Sequence, residues 1–401
     1  MRVDQPGPVG RRVFGIGLTL LLTAALALPA AAHHRQPLEY VVTELGSLGG
    51  NEAAGISINN RGLVAGYASL PGDSVIHATI WRDGTLTDLQ TLGGPNSAVL
   101  WPVKNNHGLV VGVTETADLD PLNEQWSCSL FFPSTTGHTC RGFVWEDGEM
   151  RELSTHGGTH GFATAANNRG LVVGWAETSE FDPTCAGEAG RNQQLGFVGA
   201  LWDTRDGDRI HELPPLPGDS ASTGNAINGR GQVAGISGDC DQAVGRFSAK
   251  RMALWENGVP TEIPSLGGET WNTPMAINDR GVVVGFANPE GSVGPLLVAR
   301  PFVWTRQGGT DDLGTLDGDT QGQALGINNA GQIAGLSRGP GGFTAVVWHG
   351  GQITDLNLVS PGYDGHLLFA NDINEDGVLT GAAISVESGE VVAFVATPID
   401  G

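Results

Sequence analysis

The stretch Ala54-Gly-Ile-Ser-Ile-Asn-Asn-Arg-Gly-Leu-Val-Ala-Gly66 decides the fold, because it keeps returning. It reappears as Lys104-Asn-Asn-His-Gly-Leu-Val-Val-Gly112 and Ala166-Asn-Asn-Arg-Gly-Leu-Val-Val-Gly174. Further copies are Ile227-Asn-Gly-Arg-Gly-Gln-Val-Ala-Gly235 and Ile277-Asn-Asp-Arg-Gly-Val-Val-Val-Gly285. The last two are Ile327-Asn-Asn-Ala-Gly-Gln-Ile-Ala-Gly335 and Ile373-Asn-Glu-Asp-Gly-Val-Leu-Thr-Gly381. In every copy two short apolar runs flank Asn-x-x-Gly. Asn and Gly tolerate positive φ, which a tight hairpin turn demands.

Outward from the hairpin the units stay alike. A variable loop leads to a third strand that ends in Trp81, Trp145, Trp202, Trp255, Trp304 or Trp348. A Gly-containing turn then leads to a fourth strand, ending for example at Leu89, Leu153 or Leu213. Four strands per unit at a recurring period mark propeller blades. The turn glycines are Gly62, Gly108, Gly170, Gly231, Gly281, Gly331 and Gly377, so the steps are 46, 62, 61, 50, 50 and 46 residues. The second and third units therefore carry the largest insertions. The seventh unit lacks a fourth strand, whereas Val41 to Leu45 reads as a strand with no blade of its own. Pairing the two would complete a blade and remove an aggregation-prone edge. The alternative is a linear array capped by that strand.

The expected fold is all-β: a seven-bladed β-propeller of four-stranded antiparallel blades, closed by the N-terminal strand. It spans residues 38–398, with units at about 46–89, 90–153, 154–213, 214–263, 264–313, 314–356 and 357–398 and the closing strand at 40–45. Residues 1–32 read as a signal peptide, with Arg2, Arg11 and Arg12 ahead of an apolar core and Ala30-Ala31-Ala32 as the cleavage site. Arg11-Arg12-Val13-Phe14 resembles a twin-arginine signal, and an ordinary Sec signal fits as well. A secreted or periplasmic bacterial protein is expected.

Composition narrows the function classes. A formal charge of −22, with Lys104 and Lys250 the only lysines, leaves no basic patch for nucleic acid or an anionic membrane. The 62 glycines suit many turns and few helices. No second apolar run is long enough to span a bilayer. A monomer is expected. Four cysteines in an exported chain suggest two disulfides. Cys128 and Cys140 share one insertion, while Cys185 and Cys240 lie in equivalent loops of adjacent blades. Cys128–Cys140 and Cys185–Cys240 are the expected pairs, and two other connectivities remain open.

Leu-Gly-x-Leu-Gly-Gly, Gly-Ile-Asn-x-x-Gly-x-Val-Val-Gly and His77-Ala78-Thr79-Ile80-Trp81 resemble the HAF family of bacterial extracellular repeat proteins. The resemblance covers nearly all of the chain after residue 40. The name-giving His gives way to Arg141, Val198 or Thr344 in other copies. The resemblance implies export and a repeated β fold, and it brings no catalytic residues.

The topology puts the Leu-Gly-Gly connections and the variable loops on one face, where binding sites on rigid scaffolds usually sit. Candidate ligand contacts there are Trp101, Trp126 and Trp271, which suit stacking on a sugar ring, with core packing the competing reading. Asp118, Asp120, Asp182 and Asp239 add carboxylates, and His156 and His160 read as a solvated loop pair. No cofactor is expected. Calcium would lack a complete motif: Asp372-Ile-Asn374-Glu-Asp376-Gly377 starts like a calcium loop, but its twelfth position is Ala383 and it coincides with a repeat turn. Gly335-Leu-Ser337-Arg-Gly339 matches a hydrolase elbow in letters only, without its strand-to-helix context. The expected function is non-enzymatic binding of a carbohydrate, peptide or protein through the insertion-bearing face. The alternatives are a secreted carboxylate-dependent hydrolase or lyase, and a cell-surface structural or adhesion module.

Overall fold

The computed structural model describes residues 39–103, 105–124, 128–185, 193–292 and 296–399. The expected signal peptide at 1–32 lies outside them. The described residues form seven four-stranded antiparallel sheets, each an up-and-down run of sequence neighbours except at the closure. The first blade is Ala53–Ile58, Val64–Ser69, Ile76–Arg82 and Thr85–Asp88. In the seventh, His366–Ile373, Leu379–Ile384 and Val391–Ile399 are joined by Glu39–Glu44 as outer strand. That strand runs antiparallel to Val391–Ile399, with Val42 opposite Ala396. The two ends of the chain thus share one blade, and the linear array is set aside.

The recurring Trp residues pack between blades, as their period implied. Trp81, Trp202, Trp255 and Trp348 are buried. Their indole N–H groups donate to the carbonyls of Gly46, Ser154, Pro214 and Gly314, each on the chain leaving the preceding blade. An aromatic ring and a directional bond therefore fix each of these blade contacts together.

The repeated Asn makes three hydrogen bonds. Asn59 Oδ1 accepts the backbone N–H groups of Arg61 and Leu63, which builds the turn. Its Nδ2 donates to the carbonyl of Asn105 in the next blade. The same link runs from Asn105 to Asn167, Asn228, Asn278, Asn328, Asn374 and back to Asn59, at 2.8–3.2 Å. Seven buried side chains thus make a closed belt around the axis. A second belt joins the following residues: Asn60 N–H donates to Asn106 Oδ1, and Asn106 N–H to Asn168 Oδ1. It resumes from Gly229 through Asp279, Asn329 and Glu375 to Asn60. The gap falls between Asn168 and Gly229, where the receiving position has no side chain.

The last Gly of each repeat has its own cause. A Cβ on Gly66 would lie 1.9 Å from the carbonyl oxygen of Ala54, and one on Gly335 would lie 2.0 Å from that of Gln323. The crowding comes from a β-bulge in the inner strand. Gly55 pairs with Gly66 and Ser57 with Ala65, which leaves Ile56 unpaired. The same bulge releases Thr164, Asn225, Met275, Leu325 and Asn371. Bulges re-aim side chains. Here they recur three residues before six of the seven belt Asn residues, on the strand nearest the axis.

Candidate functional site: the axial cavity

Ile56, Met275, Leu325 and Asn371, four of the six bulged residues, line a cavity of about 460 Å³ on the axis. Leu100 and Phe369 join them. Met275, Phe369 and Leu100 are only half-buried, so apolar surface faces the open space. At the start of the first inner strand stands Glu52, exposed, the one carboxylate among the described lining residues. Tyr67 donates its hydroxyl to Glu52 Oε1 at 2.8 Å. Burial first, and then the Glu52 charge, push the Tyr67 phenol upward, so it keeps the proton it donates. No Lys, Arg or His lines this cavity among the described residues.

The described lining comes from the first, second, fifth, sixth and seventh blades. The third-blade side is filled by aromatic rings. Phe162 stacks on Trp175 with centroids 4.5 Å apart. Trp101 meets Phe131, Phe162 and Trp175 edge-on at 5.5, 5.3 and 5.6 Å. Phe131 ends a short helix, Cys128–Phe131, in the second-blade insertion. It also lines the cavity. The Cys128–Cys140 disulfide ties that helix to the third strand of its blade. Trp101 is therefore buried at 5% exposure, and the core reading displaces sugar stacking there. Trp271 is half-buried, with φ at 60°. Trp126 lies outside the described residues.

The four candidate carboxylates do not gather in one place. Asp118 is exposed. Asp182 accepts the N–H and hydroxyl of Thr184 beside the Cys185–Cys240 disulfide. Asp239 faces Lys250 at 3.6 Å. Only Asp120 and His160 come together, and both are buried. His160 is not in a solvated loop. It lies within the inner strand Gly157–Ala166, at the position of Glu52 and Asn96 counted from Gly-Gly, and the second-blade insertion covers it. His156 is half-buried, at the place of the Leu in Leu-Gly-Gly.

Around His160 gather Asp120, Glu124 and Glu177. Glu177 Oε2 accepts the Thr159 and His160 N–H groups, as Glu115 Oε2 accepts that of Asn96 one blade earlier. Glu124 Oε1 accepts the N–H groups of Gln194 and Leu195, which docks the second-blade insertion onto the third blade. Burial, with the Glu177 charge second, pushes Glu124 up to about 7. Burial also pushes Asp120 upward, but the His160 ring, the Glu124 N–H and the Thr159 hydroxyl outweigh it and bring Asp120 down to about 2.

Asp120, Glu124 and His160 each place a donor atom within 4.8 Å of the others. The histidine is nevertheless a poor metal ligand. Cys140 N–H donates to His160 Nδ1 at 3.0 Å, so the neutral ring carries its hydrogen on Nε2, facing Asp120 Oδ1 at 3.6 Å. A metal on Nε2 would have to displace that hydrogen without Nδ1 able to take it up. The cysteine-containing triads are disulfide sulfurs, not thiolates. The cluster therefore serves docking.

The opposite face has a small mouth of about 120 Å³, lined by the Asn belts with Asp279 and Glu375. The calcium-like loop lies here: Asp372 Oδ2 accepts Ile58 N–H and Asn374 is a belt member, so its side chains are spent on ring closure. Ser337 donates to Asp319 Oδ2 and accepts Leu316 N–H inside a blade, which is no nucleophile's setting.

Comparison with known proteins supports the architecture. No family profile and no curated sequence matches the chain. An acylaminoacyl peptidase from Pyrococcus horikoshii is similar at 12% identity and a TM-score of 0.50, over 91% of this chain and 52% of that one. This chain therefore spans about half the peptidase's length. The virginiamycin B lyase from Staphylococcus aureus is similar at 12% identity and 0.50, over 89% and 99%. This chain is a propeller. At such identity the propeller scaffold is all that is shared.

Two disulfides suggest a non-cytoplasmic environment. No helix among the described residues is long and apolar enough to cross a membrane.

Sequence reading missed Glu52, Tyr67, Met275, Leu325 and Phe369. The available signal was the third position before each belt Asn, where Ile56, Met275 and Leu325 place apolar side chains.

Proposed function

We propose that the protein is a secreted, non-enzymatic binding scaffold of the HAF type, which seats its ligand in the axial cavity on the insertion-bearing face. The observation that carries this is an apolar cavity of about 460 Å³ built from bulged inner-strand residues of several blades. That volume is ordinary for a small-molecule site, and such sites are mostly apolar with a few placed polar groups. A wall of Leu100, Met275, Leu325 and Phe369 favours an apolar ligand, or an apolar side chain of a peptide, over a bare sugar. Binding is favoured over hydrolysis because glycoside hydrolysis uses two carboxylates, and Glu52 stands alone in the described lining.

The test is titration with N-phenyl-1-naphthylamine, a neutral dye that brightens in apolar surroundings. Saturable one-site binding, weakened about tenfold or more by Leu325→Gln and by Met275→Gln, is expected. No saturable binding, or binding indifferent to both variants, overturns the reading.

A further inference from the structure

The cavity holds an asymmetry that a purely apolar ligand would leave unused. Its wall is mostly hydrocarbon and aromatic, with the Gln323 and Asn371 amides among it, and its rim carries one fixed carboxylate, Glu52. No Lys or Arg pairs with Glu52 among the described residues. The Tyr67 hydroxyl occupies Oε1 at 2.8 Å, and Oε2 takes no hydrogen bond there. The Glu52 backbone is pinned as well: its N–H donates to Ser69 Oγ and its carbonyl accepts Ser69 N–H. The carboxylate is therefore positioned from both ends, with one oxygen turned to no protein partner.

We propose that the ligand of this cavity is a small organic cation, an aryl or alkyl body bearing an ammonium group that pairs with Glu52. The inference rests on the axial-cavity reading above and deepens it. Four observations favour it. The body has apolar surface to cover, since Leu100, Met275 and Phe369 stay half-exposed at the wall. The head has a partner in Glu52 Oε2, and charge-assisted hydrogen bonds are the stronger kind. Tyr67 and Phe369 place aromatic residues in the same lining, the residue type that attracts cations. Finally, 43 acidic against 21 basic residues attract cations toward the protein and repel anions from it. An anionic ligand of the same shape would meet Glu52 with no described cation lining the cavity to offset it.

The experiment is displacement of the bound neutral naphthylamine dye by a matched pair, 4-phenylbutylammonium and 4-phenylbutan-1-ol, at low and high salt. The ammonium is expected to compete about fivefold better than the alcohol, the size of a rim ion pair with one good hydrogen bond. That advantage should shrink at high salt and vanish in Glu52→Gln, which keeps an acceptor for Tyr67. Equal competition by the two, or an advantage that survives Glu52→Gln, overturns the cation inference while leaving dye binding, and so the cavity reading, intact. Displacement by neither also overturns it. A protein that does not bind the dye at all fails at the earlier reading instead.

Discussion

Asn374 Nδ2 donates to the carbonyl oxygen of Asn59 at 3.2 Å, across a sequence separation of 315 residues. The same bond joins every neighbouring pair of blades, so the ring closes with a contact no different from its internal ones. The belt side chains are buried, and a buried polar group that loses its partner costs about 1–3 kcal/mol. Asn278 makes three such bonds: from Arg280 N–H, from Val282 N–H and to the Asn328 carbonyl. Asn278→Ala should destabilise by about 2–4 kcal/mol in urea unfolding. Asn278→Asp keeps both turn acceptors and sets a carboxylate against a carbonyl. Its loss should be larger at pH 7 than at pH 4, where protonation restores a donor.

Gly335 faces the inner-strand carbonyl of Gln323, which a Cβ would approach to 2.0 Å. Backbone sits on both sides of this clash, so no rotamer relieves it. Gly335→Ala should cost more than about 3 kcal/mol or prevent folding. Gly341 has nothing within 4 Å of its added Cβ and no positive φ, so Gly341→Ala should change stability by less than about 0.5 kcal/mol. Thermal unfolding of the two variants side by side gives the comparison.

The blades were legible in the sequence and the cavity was not, for a physical reason. A hairpin is local: Asn59 and Gly62 lie three positions apart, and their φ requirements can be read from residue type. The Asn59 Nδ2 bond to Asn105 depends on how blades are set side by side, which no single unit encodes. The bulge at Ile56 leaves only a faint trace, because an unpaired apolar residue in a strand has the same letter as a paired one. His160 shows the other limit. Its alignment with Glu52 and Asn96 can be found by counting from Gly-Gly. Its burial comes from an insertion that the first blade does not possess.

One edge strand, Glu39–Glu44, completes the seventh blade. Leu45 N–H donates to the carbonyl of Ala393. Alternation along the strand turns the Thr43 N–H toward the same neighbour. The Thr43 side chain is exposed, so replacing it alone disturbs little. Thr43→Pro removes a ladder donor at the seam and should lower stability by about 1–3 kcal/mol, whereas Thr43→Ala should be close to wild type. Limited proteolysis should cut first near the N-terminal strand in the proline variant. Equal resistance in both variants would mean the seam does not govern opening.

The docking of the second-blade insertion on the third blade should weaken as pH rises. Glu124 is held up to about 7 by burial and the Glu177 charge, above an ordinary value of 4.5. A carboxyl whose folded pKa is raised binds more protons folded than unfolded, so its contribution is fully present below about 4.5 and is lost as pH climbs through 7. Asp120 acts in the opposite sense: held near 2 against 3.8, it supports the folded state above about 4 and loses that support as pH falls toward 2. Docking should therefore be firmest near pH 4–5. The amides of Gln194 and Leu195, which donate to Glu124, report on it directly. Their hydrogen-exchange protection, corrected for intrinsic rate, should fall between pH 5 and 8 in the wild type. In Glu124→Gln, which keeps an acceptor for both amides but does not titrate, it should stay flat. A slope that persists in the variant would assign the pH dependence to another group.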